Sequence, residues 1–305
     1  MLLVRRHFLA LTSAAIASPV LGLGVERRGR IEVIDGVRFD NYPTARARIW
    51  LPPGYDNGAR SYPVLYVLDG QYAFEGDGDG INFGTDRRVA QLASSGTIEP
   101  HLIVAIDNLG RDRFLQYMPQ AIYEQARGEL RKGIDLELAR HDGRPLQSDA
   151  LLRHLTVRLK PFVDENYRTQ PGRLDTAIFG ASMAGVMAGA IFVEAQQIFG
   201  RGACMSPNWP IYDNRFVDYE QLLSLWPDYF SLLGAPEGRR IWLDHGTEME
   251  LDAGMAPHQI NIAQRLIDMG WERGCNLQMR VYEGAGHAFA QTAFQMDEAL
   301  AWLLA

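Results

Sequence analysis

Ser182 lies in the run Gly-Ala-Ser-Met-Ala-Gly at 180–185, where small neighbours suit a reactive hydroxyl. An apolar run at 176–179 predicts a buried strand before it, and a second run at 186–199 predicts a buried helix after it. A strand, a tight turn with a central serine and a helix form a nucleophile elbow, in which a strained backbone angle lifts the hydroxyl clear of the sheet. The sequence therefore predicts that Ser182 is a nucleophile.

The elbow departs from its usual form at one position. Glycine usually follows the serine by two places, but here Ala184 takes that place and Gly185 comes one step later. Alanine adds one methyl group, which we expect the turn to accept. The alternative, a glycine- and alanine-rich turn with an idle serine, stays open on these residues alone.

A serine nucleophile needs a base to take its proton, and His287 has the position for this role. It follows the last predicted strand (277–282) in a glycine-rich loop, just before the final predicted helix (293–304). The chain order serine, acid, histidine places the base there. Of the seven histidines, only His287 combines this order with such a loop, so we predict that it is the base.

The carboxylate that orients the base is expected after the predicted strand at 240–244. The loop there carries Glu248, Glu250 and Asp252. One of the three must reach the far imidazole nitrogen, and the others can cap the helix that begins near Pro257. The residues alone leave this choice open.

Backbone N–H groups are the expected donors to an oxyanion. The first is that of Met183, at the start of the helix after the nucleophile, and the second is that of Gly70 or Gln71, after the predicted strand at 62–68. Glycine there lets the backbone approach a ligand closely.

Three further side chains are candidates for substrate contact. Asn208 and Trp209 follow the predicted strand at 202–205, and Arg113 follows the strand at 102–106. A packing role for Trp209 and a structural role for Arg113 are the alternatives.

Short apolar runs alternate with helical periodicity along the chain. This pattern predicts an α/β protein with a mostly parallel central sheet and helices on both faces. A charged segment at 120–148 predicts a helical insertion, and no linker divides residues 31–305, so we expect a single domain. The predicted strands are 46–51, 62–68, 102–106, 176–179, 202–205, 240–244 and 277–282, and the remaining predicted helices are 151–167 and 256–269.

Charge and motif content exclude several function classes. The net charge is −7 and the chain has no basic block, so we expect no nucleic-acid partner. The acidic turn at 75–80 lacks the later ligands of a calcium loop, and no histidine pair has H-E-x-x-H spacing, so we expect no metal and no other cofactor. A small molecule is the expected partner, and the oligomeric state stays open. Nothing in the spacing of Cys204 and Cys275 demands a disulfide.

The first residues have the pattern of an export signal. Arg5 and Arg6 precede a short apolar run that ends in Ala-Ile-Ala at 15–17. Adjacent arginines of this kind resemble a twin-arginine signal. We therefore expect residues 1–17 to be removed, residues 18–30 to form a leader, and the product to be periplasmic or secreted, with no stable membrane span.

Several motifs together resemble the esterase D type of “Putative esterase” family, which includes enterochelin esterases, feruloyl esterases, S-formylglutathione hydrolase and mycolyltransferases. The resemblance runs from about residue 31 to the C-terminus and implies an α/β-hydrolase fold and a Ser-acid-His triad. It implies that Asp252, in a Leu-Asp-Ala run found in close relatives, is the first choice for the acid, and that Glu250, at the mycolyltransferase spacing, is the second. The motifs lie at 48–55, 62–71, 161–168, 179–185, 205–209, 244–248 and 283–287.

The function that this resemblance implies is hydrolysis of a carboxylic ester through an acyl-enzyme. Transfer of the acyl group to an alcohol or sugar acceptor is the same-fold alternative. A catalytically idle binding protein is the alternative of a different class.

Overall fold

The computed structural model describes residues 29–34, 46–77, 80–211, 219–248 and 250–305. The predicted export signal and nearly all of the leader lie outside these residues. The described chain contains one eight-stranded sheet, whose strands are β1 (Arg30–Ile34), β2 (Ala47–Leu51), β3 (Val64–Leu68), β4 (Leu102–Ile106), β5 (Thr176–Ala181), β6 (Arg201–Met205), β7 (Arg240–Gly246) and β8 (Leu277–Tyr282).

The strand order is β1-β2-β4-β3-β5-β6-β7-β8. Strand β2 is antiparallel to both of its neighbours, and all other pairs are parallel. The mostly parallel α/β-hydrolase sheet predicted from the sequence is confirmed. Its β1 was not predicted, because this edge strand is half exposed and its Ile31 and Val33 lack the continuous apolar context of the central strands.

Helices cover both faces of the sheet, as predicted. Between the fifth and sixth of them, residues 154–159 form a π-helical turn. The sequence did not predict the helices at 85–94, 113–117 and 219–230. The helices are α1 (Thr85–Ser94), α2 (Arg113–Tyr117), α3 (Gln120–Gln125), α4 (Gly128–Ala139), α5 (Ser148–Arg153), α6 (Lys160–Asn166), α7 (Met183–Glu194), α8 (Tyr219–Phe230), α9 (Glu250–Asp268) and α10 (Phe289–Leu304).

Two apolar layers hold the sheet between the helices. Along β3, Tyr66 belongs to the layer under α7 and α9, and its neighbours Leu65 and Val67 belong to the layer under α1 and α10. This alternation follows from the two-residue period of a strand. Because both faces are covered, every residue of β3 is buried, which explains the continuous apolar run in its sequence.

Helix α7 is buried from Met183 to Val193 because it packs on β5 and β6 and is covered on its other side by α2 and by the end of α8 near Phe230. Its small residues make this possible: a Cβ atom at Gly189 would lie 3.0 Å from a ring atom of Phe230 and 3.2 Å from the sulfur of Cys204. Close packing of α7 on β5 and β6 places the first turn of this helix at the carboxyl edge of the sheet.

Cys204 is buried, Cys275 is exposed, and both are free cysteines. Within the described ranges, no helix combines the length and the apolar content that a membrane crossing requires.

Candidate active site

Ser182 stands between β5 and α7 with a backbone conformation that non-glycine residues rarely adopt. Its φ is 58° and its ψ is −126°. Such strain costs about 1–3 kcal/mol and persists only where the surroundings hold it. Here the N–H of Ser182 donates to the carbonyl of Met205 at 2.9 Å, and the carbonyl of Ser182 accepts from the N–H of Asn208 at 3.2 Å. The loop after β6 therefore holds the strained turn from both ends.

Glycine is required at 180 because the backbone of α7 passes directly over it. A Cβ atom there would lie 2.1 Å from the carbonyl oxygen of Ala184. A Cβ atom at Gly185 would lie 3.1 Å from the carbonyl oxygen of Met205, which is also a tight approach. The side chain of Ala184 is fully buried in the core, so the methyl group that departs from the usual elbow pattern has a packed place.

The structure brings Ser182 and His287 together. The Nε2 atom of His287 lies 2.9 Å from the Oγ atom of Ser182, although 105 residues separate them in the chain. His287 lies in the loop between β8 and α10, as its glycine-rich sequence predicted. An imidazole nitrogen at this distance can accept the hydroxyl proton.

The loop after β7 lies against the loop that carries His287. The backbone N–H groups of Thr247 and Glu248 both donate to the carbonyl of Ala285, at 2.9 and 3.0 Å. A Cβ atom at Gly246 would lie 2.0 Å from the same oxygen, so the two loops approach at a glycine. The segment in which the acid is expected therefore begins beside Ala285, which precedes the predicted base by two positions in the chain.

The three acid candidates occupy this segment. Glu248 is exposed, and Glu250 and Asp252 fall in the first turn of α9. The side chains of Glu250 and Asp252 lie outside the described part of the structure. The identity of the carboxylate stays a prediction.

A fourth carboxylate, that of Asp244 in β7, has a role that sequence reasoning missed. Its Oδ1 atom accepts from the N–H of Ser206 at 2.7 Å and from the hydroxyl of Ser206 at 3.3 Å, and its Oδ2 atom accepts from the indole of Trp242 at 2.7 Å. Ser206 has a φ of 36° and follows Met205, whose carbonyl binds Ser182. Asp244 therefore holds the loop that holds the nucleophile. An acidic residue at the end of an apolar strand was the available signal.

Asp244 is expected to make stability depend on pH. Burial raises the pKa of this carboxyl to about 6, although three hydrogen bonds oppose the shift. Because the folded state holds the proton more tightly than the unfolded chain does, the contribution of Asp244 to stability is greatest below about pH 4 and falls by about 3 kcal/mol as the pH rises through about 6. We expect the free energy of unfolding of Asp244→Asn, measured with urea from pH 4 to 7, to lack this fall. Parallel pH profiles for the variant and the wild type would contradict the prediction.

The predicted oxyanion donors follow the neighbouring strands β3 and β5. Met183 is the first residue of α7, so its N–H has no acceptor within the helix. Gly70 and Gln71 lie in a short 3₁₀ turn after β3, which neighbours β5 with Val67 opposite Phe179. Gly70 is buried against the backbone of β4, so closely that a Cβ atom there would lie 2.4 Å from the nitrogen of Ile106. Gln71, in contrast, faces an open cleft.

The cleft beside Gln71 has a volume of about 760 Å³ and extends to Phe289, the first residue of α10 and two positions after the predicted base. Aromatic rings form part of its wall: the rings of Tyr72 and Phe289 meet edge to face at 5.6 Å, and Phe289 stacks on Phe83 at 4.3 Å. Its lining residues are Asp69, Gln71, Tyr72, Ile81, Asn108, Gly110, Arg113 and Phe289.

Arg113 lines this cleft, but its main contacts are internal. Its guanidinium donates to both carboxylate oxygens of Asp69, at 2.6 to 3.2 Å, and Asn108 donates to the same carboxylate at 2.7 Å. Asp69 has a φ of 56°, so this clamp secures a strained residue next to Gly70. The structural role is thus present, and contact with substrate stays a prediction.

Trp209 does not line this cleft, and of the two roles that the sequence left open for it, the packing role is present. Its side chain is fully buried and packs on Trp226 and Phe230, with ring centroids 5.1 and 5.7 Å away. The reason is that its loop turns back under α8, which sequence periodicity could not show. Asn208 is half-buried beside Ser182, to whose carbonyl its N–H donates, and its role toward substrate stays a prediction.

Solved structures share this architecture at low sequence identity. An IroE-like serine hydrolase from Shewanella oneidensis is 15% identical, with a TM-score of 0.62, and the match covers 90% of this chain and 80% of the other. A ferulic acid esterase from Anaeromyces mucronatus is 18% identical, with a TM-score of 0.57 and coverages of 90% and 88%. The enterobactin esterase of Shigella flexneri is 14% identical, with a TM-score of 0.58, and the match covers 90% of this chain and 59% of that longer protein. No curated protein matches the chain.

The sequence itself matches the model of a protein family. The model of the family described as “Putative esterase” matches residues 44–303, which include every part of the site described above. The sequence motifs predicted this family. The chain therefore belongs to the “Putative esterase” family and is a carboxylic ester hydrolase with an α/β-hydrolase fold.

Proposed function

We propose that this protein is a serine esterase that works through an acyl-enzyme, with Ser182 as nucleophile and His287 as base. The observation that carries the proposal is the 2.9 Å contact between the Oγ atom of Ser182 and the Nε2 atom of His287, on a strained turn at the carboxyl edge of the sheet. In an open α/β sheet, ligands bind at this edge.

The reaction proceeds in two halves. The Oγ atom of Ser182 attacks the carbonyl carbon of the ester while its proton passes to His287. When the tetrahedral intermediate breaks down, the alcohol leaves with that proton and the acyl group stays on the serine. Water then attacks the acyl carbon while His287 takes its proton, the acid leaves, and the serine regains a proton from His287.

Two other groups complete the proposed machinery. The N–H groups of Met183 and Gln71 donate to the oxyanion, and removal of one such donor typically costs roughly 10²- to 10³-fold in kcat. Asp252, with Glu250 as the second choice, orients the imidazole and stabilises its protonated form. The proximity of Glu248 to Ala285 supports this, since it places the start of the acid segment beside the histidine loop.

The cleft favours an ester with an aromatic or apolar acyl group. Tyr72 and Phe289 offer ring surfaces, and Ile81 is 61% exposed beside them. Such surfaces gain free energy when an apolar group displaces water from them. Two of the solved structures similar in fold are named for ferulic acid and enterobactin, and this supports a trial of aromatic esters first.

A fluorophosphonate probe tests the nucleophile directly. The Oγ atom of Ser182 is expected to form a P–O bond while fluoride leaves, so the protein gains the mass of one phosphonyl group on the peptide that contains residue 182. Heat-unfolded protein is the control and should gain nothing, because the reaction needs the histidine contact. If the folded protein gains no mass while a known serine esterase in the same solution is labelled, the proposal is wrong.

Export is a further part of this proposal. It is supported by Arg5 and Arg6 and by the Ala-Ile-Ala sequence at 15–17. N-terminal sequencing of the protein from a host with a twin-arginine pathway is expected to begin at residue 18.

A further inference from the structure

A buried arginine lies beneath the loop that follows β3. Arg48, in β2, is 7% exposed. Its guanidinium donates to both carboxylate oxygens of Asp77, at 2.8 and 3.0 Å, and one of its nitrogens also donates to the carbonyl oxygen of Gly70. Arg48 also lies over the ring of Phe74, 5.0 Å from its centroid. These contacts give Arg48 a defined position under the turn at Gly70.

The contact with Gly70 sets the direction of the next N–H group. In a trans peptide, the carbonyl of one residue and the N–H of the following residue point in opposite directions. The carbonyl of Gly70 points to Arg48 and also accepts from the N–H of Ala73 at 3.0 Å. The N–H of Gln71 therefore points away from Arg48. No acceptor for it is seen among the described residues.

The register of the sheet places this N–H near the nucleophile. Val67 lies opposite Phe179, so the residues after β3 and after β5 lie side by side at the carboxyl edge of the sheet. Arg113 spans the same gap, since it binds Asp69 and approaches the carbonyl of Ala181 at 3.4 Å.

The surroundings explain why this position suits arginine. Gly70 is packed against the backbone of β4, where a Cβ atom would lie 2.4 Å from the nitrogen of Ile106. A guanidinium has a rigid fork of five donors, which lets it bind the carboxylate of Asp77 and the carbonyl of Gly70 at once. Its charge is balanced by Asp77 and by Asp107, whose Oδ1 atom lies 3.7 Å away.

We propose that Arg48 is a positioning residue, which fixes the Gly70–Gln71 peptide so that the N–H of Gln71 is aimed at the oxyanion. This inference rests on the proposed esterase function. Arg48 acts through the backbone of Gln71 and touches no substrate itself. Because the donor is held before the reaction begins, no free energy is spent on its orientation in the transition state.

Kinetics of Arg48→Met test this role, with Arg60→Gln as the matched control. Arg60 forms an exposed ion pair with Glu99, away from the site. We expect Arg48→Met to lower kcat by roughly 10²- to 10³-fold per active site counted by phosphonate titration, with little change in KM, because the lost donor acts on the transition state. A purely structural role would instead lower the count of active sites and leave kcat per site unchanged. That second result would overturn the proposal.

Loss of Arg48 leaves the Asp77 carboxylate without its cation and can prevent folding. The double variant Arg48→Met/Asp77→Asn removes both charges, and its asparagine can still accept from the N–H of Phe74, which donates to Asp77 at 2.9 Å in the wild type. We expect the double variant to show the same loss of kcat per titrated site. Wild-type kcat per titrated site in a folded double variant would contradict the proposal.

Crystal structures of the wild type and the double variant separate this inference from the proposed function. We expect the Gly70–Gln71 peptide to turn in the variant, so that the N–H of Gln71 no longer points to the edge where Ser182 lies. An unchanged peptide would overturn the role of Arg48, whatever the activity. A turned peptide in a protein that hydrolyses no ester would support the role of Arg48 and refute the proposed function.

Discussion

Replacement of Ser182 by alanine is expected to lower kcat for a short acyl ester by roughly 10⁴- to 10⁶-fold, because the variant has no atom that can form the acyl-enzyme. The fold is expected to survive. The loop after β6 holds the turn through backbone groups of residue 182, which alanine retains, and alanine at a φ of 58° is strained about as much as serine. Steady-state hydrolysis and the melting temperature measure the two effects.

Ser224→Ala is the matched control for this prediction. Ser224 is exposed in α8 and donates only to the carbonyl of Gln221. We expect this variant to retain wild-type kcat and the wild-type melting temperature. If Ser182→Ala retains more than a few per cent of wild-type kcat, Ser182 is not the nucleophile. If it instead fails to fold, Ser182→Cys, which keeps a nucleophilic atom, can be tested for slow labelling by the phosphonate.

His287→Gln is expected to lower kcat by a similar factor, roughly 10⁴- to 10⁶-fold. Glutamine can fill part of the space and donate a hydrogen bond to the Oγ atom of Ser182, but it cannot take the proton. The rate of phosphonate labelling should fall together with kcat, because both reactions need an activated serine. His141→Gln is the control, since His141 lies by α4 next to Asp112 and Glu137, and is expected to keep wild-type rates. Fast labelling of His287→Gln would assign the base elsewhere.

The His287→Gln variant also serves as a background in which the carboxylate that orients the imidazole can be identified. A carboxylate that only orients the imidazole has no effect once the imidazole is gone, because members of a catalytic unit are not additive. Asp252→Asn is expected to lower kcat by roughly 10³- to 10⁴-fold in the wild type and not at all in His287→Gln. Glu250→Gln and Glu248→Gln are expected to have small effects in both. A silent Asp252→Asn with a severe Glu250→Gln would reverse the assignment.

Local pattern in the sequence determined the architecture and the order of the reactive groups. Continuous apolar runs identified the central strands, because a strand covered on both faces has no polar positions to interrupt it. The bounds of β4 and β8 were predicted to the residue. The small residues around Ser182 predicted the elbow, since the close approach of α7 to β5 forbids a side chain at Gly180. The glycine-rich loop predicted the place of His287.

The tertiary structure alone decided which residues brace the site. Arg48 and Asp77 are 29 positions apart, Ser206 and Asp244 are 38 apart, and Asp69 and Arg113 are 44 apart. In each pair the two residues belong to different strands, helices or loops. The physical reason is that periodicity reports how one element faces the core, whereas a hydrogen bond between two elements depends on strand order and register, which emerge only when the sheet is assembled. For the same reason the sequence could place Trp209 after β6 but could not show that its ring turns into the core.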